Sequence, residues 1–117
     1  MLLRIDPASP VPLFAQLAES IRLDVVGGAV KPGDRLPSAR EVASSLEINV
    51  HTVLRAYQVL RDEGLVDLRP GRGAVVTAQA TSYSELGESI PKLVARARQL
   101  GLSVSALTAI IRQEYNS

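Results

Sequence analysis

The chain has 117 residues, with 13 basic and 12 acidic side chains and a formal charge of +1. That balance excludes a globally basic nucleic-acid coat or an acidic tail, so any charged footprint has to be local. Aromatics are only 3% against 46% hydrophobic residues, so the core is aliphatic, and the absence of cysteine excludes disulfides and thiolate metal sites and fits a reducing compartment.

Residues 1–11 (MLLRIDPASPV) hold two prolines and little periodicity, which suggests an extended arm. An acidic residue arrives too early for a signal peptide, and no stretch approaches ~18 uninterrupted apolar residues, so the chain reads as soluble and cytoplasmic, with no membrane partner. From Pro12 onward, Phe14, Leu17, Ala18, Ile21 and Val25 recur on one helix face. Pro12 suits the first turn of that helix and Gly27-Gly28 its stop. KPGDRLP (31–37) reads as a turn into a short extended piece.

Ser38-Ala39-Arg40-Glu41 is a capping box, in which the serine hydroxyl serves the third helical N–H and the glutamate reaches back to the cap. Ala39, Val42, Ala43 and Leu46 form the stripe of a short helix. After a turn at Glu47-Ile48, Asn49 caps a third helix that runs to about Glu63 and is stopped by Gly64. Ile48 and Val53 are spaced as its hydrophobic staple. Val66 and Leu68 then alternate with Asp67 and Arg69, Pro70-Gly71-Arg72-Gly73 is turn chemistry, and Ala74–Thr77 is a second strand, which together make a hairpin.

Residues 78–84 (AQATSYS) look like a linker. The tail resumes a helical period at Leu86, Ile90, Leu93, Val94, Ala97 and Leu100, with Pro91 either in the first turn or at a kink. Gly101 ends that helix. Ser103 caps a last one carrying Val104, Leu107, Ile111 and Tyr115 on one face. The fold class is thus mainly α with a small β-hairpin (α+β). It comprises a winged helix-turn-helix with an N-terminal arm over 1–77, a linker over 78–84 and a two-helix segment over 85–117.

On the third helix, Val53, Ala56, Tyr57 and Leu60 share one arc, while His51, Arg55 and Gln58 gather opposite, with Thr52 at the margin. All of the polar members can donate to phosphates or base edges. No acid occurs between Ile48 and Arg61, and the helix N-terminus adds partial positive charge. Arg69 and Arg72 flank the hairpin turn, and no acid follows from Leu68 to Ser84. Taken singly, each feature is ordinary: a surface histidine, a Gly-Arg-Gly turn, a solvated Arg40. Their order along one chain points to DNA.

The stretch LPSAREVASSLEINVHTVLRAYQVLRDEGLVDLRPGRGAVV, with PLFAQLAESIRLDVVGGAVKPGDR before it, resembles the N-terminal winged-helix domain of the GntR-type bacterial transcriptional regulators. Asn-x-x-Thr-Val followed by an apolar residue looks like their short YtrA-type subfamily. Many members carry arginine immediately after the Thr-Val pair, where this chain has Leu54 and places Arg55 one residue later. Residues 78–117 are also too few for the large ligand-binding or aminotransferase-like domains of other members. The resemblance implies a dimer on a palindromic double-stranded operator. It also implies contacts from Arg40, from Asn49, His51 and Thr52, and from the wing residues Gly71, Arg72 and Gly73.

With Arg35, Ser38, Arg55 and Arg69 added, these residues make up the expected DNA-binding set. The arginines 35, 40, 55, 69 and 72 would hold phosphates, while His51, Thr52 and Arg55 would read bases. Short amphipathic helices cannot bury their faces alone, so Leu86, Ile90, Leu93, Val94, Leu100, Leu107 and Ile111 are expected at a homodimer interface. The tail or that interface leaves room for a small-molecule effector. No catalytic group, metal site or cofactor is legible. The expected function is a sequence-specific transcriptional repressor; the alternative is a winged-helix protein-interaction module without specific DNA binding.

Overall fold

The structure, a computed structural model, describes residues 3–117. In chain order these form α1 (Leu13–Val26), α2 (Ala39–Leu46), α3 (Val50–Asp62), β1 (Val66–Arg69), β2 (Gly73–Val76), α4 (Gln79–Gln99) and α5 (Val104–Tyr115). This is the mainly α architecture with one antiparallel hairpin that the sequence pattern implies. Residues 1 and 2 of the expected arm lie outside the described residues. The described residues divide into two compact units, one ending at Glu85 and the other spanning Leu86–Ser117.

The first unit is built around one aliphatic cluster. Leu17, Ala18, Ile21 and Val25 of α1 meet Val53, Ala56, Tyr57 and Leu60 of α3, with Val42 and Ala43 of α2 and Leu65, Val66, Ala74 and Val76 of the hairpin closing the cluster. Burying one such leucine, isoleucine or valine contributes about 1.5–3 kcal/mol, so these stripes decide how each helix is rotated. The arm is tied down as well. The Gln16 side chain accepts from the Asp6 N–H at 2.6 Å and donates to the Asp6 and Val11 carbonyls, and Leu3 and Ile5 pack against the core. At the other end of α1, the Arg22 guanidinium donates to the Glu63 carboxylate at 2.9 Å, fastening α1 to the C-terminus of α3.

The helix-turn-helix corner depends on two caps and one left-handed residue. The Ser38 hydroxyl accepts from the Glu41 N–H at 3.1 Å and donates to the Glu41 carboxylate at 3.1 Å. The returning arm of the capping box therefore reaches the serine hydroxyl rather than the backbone N–H of the cap. Glu47 ends α2 at φ 56°, in the left-handed region, and the Ile48 N–H donates to the Ala43 carbonyl at 3.0 Å. Asn49 then accepts from the His51 N–H at 2.8 Å and starts α3.

The wing is a hairpin with Val66 opposite Val76 and Arg69 opposite Gly73. Its turn is closed by the Arg72 N–H donating to the Arg69 carbonyl at 3.0 Å, with Gly71 at φ 77° and Gly73 at φ 75°. These are angles that a side chain rarely tolerates. Residues 33–36 add a short edge to β2. The Gly33 N–H donates to Val76 and the Leu36 N–H to Ala74, and Arg35 bridges Val75.

The expected linker over 78–84 does not exist as such, because α4 begins at Gln79. The Thr77 hydroxyl accepts from the Gln79 N–H at 3.2 Å and donates to the Gly64 carbonyl at 2.7 Å. Ala80 is buried and Tyr83 packs on the core. A polar-looking segment is thus ordered by one cap, one buried alanine and one half-buried tyrosine that composition does not advertise. Pro91 lies well inside α4 rather than in its first turn. It has no N–H to give the Gly87 carbonyl, the condition that kinks a helix.

Within the second unit, Ser103 caps α5 by accepting from the Ala106 N–H at 3.1 Å, and Gly101 makes the turn before it at φ 75°. Ala97 is buried there, whereas Leu86, Ile90, Leu93, Leu100, Val104, Ile111 and Tyr115 are exposed. Among the described residues no helix is long and apolar enough to cross a membrane.

The left-handed Glu47 gives a direct test of the corner. Glycine accepts that backbone conformation without the Cβ penalty, so Glu47→Gly is expected to stabilise the protein by about 0.5–1 kcal/mol in urea unfolding, net of the added freedom of the unfolded chain. Destabilisation by a similar amount would show that the turn is held in some other way.

Candidate nucleic-acid interface

With its apolar stripe sunk against α1, α3 turns the opposite arc to solvent. His51, Arg55 and Gln58 are exposed and Thr52 is half-buried. Asn49 is exposed too; its Oδ1 accepts from the His51 N–H, which leaves its amide NH2 and a second lone pair for an outside partner. One flank of this arc runs toward α1, where the Arg55 guanidinium lies 3.8 Å above the centre of the Phe14 ring. Such a cation–π contact holds a long, mobile side chain in place. It draws Arg55 away from the centre of the arc, a displacement that helical periodicity could not have indicated.

The other flank runs toward the wing. Leu54 and Tyr57 of α3 share one groove with Ser38 and Ala39 at the start of α2 and with Leu68, Arg69, Pro70, Gly73 and Ala74 of the hairpin. A neighbouring cleft of about 500 Å³ is lined by Arg35, Leu36, Pro37, Ser38 and Glu41 together with Gly71, Arg72 and Gly73. The start of α2, the outward side of α3 and the wing tip therefore lie side by side. Of the expected set, Arg35, Ser38, Gly71, Arg72 and Gly73 are brought into one cleft. Arg40 is exposed on the first turn of α2, and Asn49, His51, Thr52 and Arg55 lie along α3.

The charges are not all free. Arg69 is paired with Asp67 at 3.2 Å, so its positive charge is partly cancelled on the strand itself. Glu41, absent from the expected set, lines the cleft; its carboxylate is occupied by the Ser38 hydroxyl. Among the described residues Arg35, Arg40 and Arg72 make no ion pair. Sequence reasoning also missed Leu54 and Leu68 as members of this surface. For Leu54 the signal lay in its helical spacing from His51 and Gln58, which puts it on their face; for Leu68, whose alternation marks it as core-facing, there was none, and nothing in the sequence placed the two beside each other.

Tyr57 holds the two halves of the corner together. Its hydroxyl donates to the Pro37 carbonyl at 2.5 Å, linking the middle of α3 to the residue just before the α2 cap. Burial, reinforced by the nearby Glu41 carboxylate, pushes the phenol up to about 12.

The family model described as bacterial regulatory proteins, gntR family, matches residues 13–76. The HTH-type transcriptional repressor YtrA of Bacillus subtilis is 30% identical over 118 residues, spanning 96% of this chain and 91% of that one. Among solved structures, YtrA from Sulfolobus acidocaldarius, a GntR-family transcription factor, is 37% identical, with a TM-score of 0.63 over 81% of this chain and 99% of that one. A GntR family transcriptional regulator from Listeria monocytogenes is 25% identical, with a TM-score of 0.62 over 93% of this chain and 98% of that one.

The Tyr57 bridge predicts an alkaline weakness. Because folding raises the phenol above its ordinary value near 10, its contribution is complete below about pH 10 and is lost as pH rises toward 12. Tyr57→Phe is expected to cost about 1 kcal/mol at neutral pH and to flatten the loss of stability between pH 10 and 12. An unchanged alkaline limb in the variant, measured by denaturant unfolding across that range, would assign the loss to other groups.

Proposed function

The chain belongs to the gntR family of bacterial regulatory proteins, and from that premise we propose that it is a sequence-specific transcriptional repressor that binds a palindromic operator as a homodimer in the cytoplasm. The relatives it matches are transcriptional regulators rather than enzymes. The observation that carries this reading is the shared side of the first unit, where the polar arc of α3, the cap of α2 and the arginine-tipped wing are neighbours. A major groove admits a helix of this kind, and the wing then falls on the flanking backbone or minor groove.

The roles divide by position. Asn49, His51 and Thr52 lie at the start of α3, the part of a recognition helix that meets base edges, and they read sequence. Arg35, Arg40 and Arg72 hold phosphates, with Ser38, Gly71 and Gly73 allowing the backbone to come close. Arg69 contributes less, since binding has to loosen its pair with Asp67. Stacked over Phe14 at the α1 flank, Arg55 serves the sugar–phosphate backbone rather than a base. A net charge of +1 is no obstacle, because Arg35, Arg40, Arg55 and Arg72, none of them in an ion pair among the described residues, supply a local positive footprint.

Dimerisation is assigned to the tail. Leu86, Ile90, Leu93, Val94 and Ala97 fall within one arc of α4, with Leu100 in the turn just after it, and Val104, Leu107, Ile111 and Tyr115 fall within one arc of α5. Val104 and Tyr115 are 82% and 85% exposed. Stripes this apolar need a covering surface, and a second copy related by a two-fold axis supplies one while setting two α3 helices about one duplex turn (~34 Å) apart.

Two experiments follow. With a duplex selected from a random pool, affinity is expected to fall by about three orders of magnitude between ~50 and ~200 mM salt. Arg72→Ala should weaken every duplex alike, while His51→Ala should change which duplex is preferred. Equal losses from both variants on all duplexes would refute the division of roles. In sedimentation equilibrium the wild type is expected to be a dimer. The variant combining Leu93→Asp and Ile111→Asp should be a monomer that keeps its helical circular dichroism and loses at least about a hundredfold in operator affinity. A wild-type monomer, or a dimer undisturbed by the two charges, would remove the tail from the interface.

A further inference from the structure

One side chain on the outward arc of α3 is apolar. Leu54 is 41% exposed, one turn after His51 and one turn before Gln58, both of them exposed. A single surface leucine is ordinary, but this one continues into the groove it shares with Ala39, Tyr57, Leu68 and Pro70, and Leu68 on the wing is itself 36% exposed. At 100° per residue, Leu54 and Arg55 lie on opposite flanks of the ridge made by His51 and Gln58. The guanidinium of Arg55 is drawn to the α1 side by Phe14. The wing side of the ridge is left to an isobutyl group.

Of the groups that the major-groove edges of the four base pairs present, only the C5-methyl of thymine is apolar. Hydrogen-bond donors surround Leu54 on the ridge, and unpaired arginines border the neighbouring cleft, so a duplex held by those groups would bring a base edge against this side chain. We propose that Leu54 is a specificity-determining residue that reads a thymine methyl group, one in each half-site, on the wing side of the contact made by His51. The proposal rests on the DNA-binding reading and adds to it a base identity at one position. Leu68 and Pro70 act as the apolar wall that keeps water from the methyl–isobutyl contact.

The test uses the full-length protein and a duplex selected from a random pool. Each thymine is replaced in turn by deoxyuridine, which pairs identically and removes only the methyl group. The wild type is expected to lose about fourfold in affinity at one position per half-site, the weight of a single buried methyl group, and to be indifferent at most others. Leu54→Ala should bind the thymine duplex more weakly by a similar factor and show no further loss with deoxyuridine at that position. A wild type that tolerates deoxyuridine everywhere overturns the proposal while leaving specific DNA binding intact. So does a Leu54→Ala variant that retains the full penalty. Failure to enrich any duplex from the pool overturns the DNA-binding reading and this one with it. Should Leu54→Ala not fold, the wild-type substitution series decides alone.

Discussion

Everything on the candidate DNA-binding side depends on the burial of one stripe of α3. Val53, Ala56 and Leu60 are fully enclosed against Leu17, Ala18, Ile21 and Val25 of α1. Several buried aliphatic side chains, each contributing about 1.5–3 kcal/mol, far outweigh anything that the polar residues opposite could gain by turning inward. A rotation of the helix by one residue would turn Thr52 or Arg61 toward α1 and carry Tyr57 or Ala56 out of the core. The outward direction of the polar arc is therefore a consequence of core packing, not of any attraction between those residues.

Around that fixed helix the rest of the surface is assembled by backbone hydrogen bonds and caps. The Tyr57 hydroxyl anchors Pro37, so the cap residue Ser38 and the arginine two residues on are referred to α3 directly. Pairing of 33–36 with β2 refers Arg35 to the wing, and the Arg72–Arg69 turn sets the tip. At the far end, Arg22 and Glu63 clamp α1 to the C-terminus of α3. The hydrogen bond to the Glu63 carboxylate holds the guanidinium pKa above its ordinary value despite partial burial. The polar groups that face outward thus rest on a frame in which few of them take part.

Much of this was legible in the residues. The apolar spacing of α1 and α3, the serine and asparagine caps and the glycine-rich turn each carry a local physical signal, and helices and hairpin lie where those signals put them. Other features depend on contacts between distant residues, and there the sequence fell silent. AQATSYS reads as a loop until Thr77 is seen bridging Gly64 and capping Gln79, with Ala80 sunk into the core. Glu47 is an unusual residue for a left-handed turn, and it is accepted because the caps on either side determine the corner. The cation–π contact of Arg55 with Phe14 joins residues 41 positions apart, and it redirects a side chain that helical periodicity alone assigns to the base-reading arc. The Asp67–Arg69 pair likewise reduces a charge that a simple count would treat as free.

The central claim is that a single surface, formed by residues 35–41, 49–58 and 69–73, meets duplex DNA. Its most direct test is to map backbone amide chemical shifts by NMR while a selected duplex is titrated into the protein. The account predicts that the strongest perturbations cluster in those three segments, with the buried face of α1 changing little. Perturbations centred on α1 or on the 104–115 helix, with α3 and the wing tip unmoved, would contradict it.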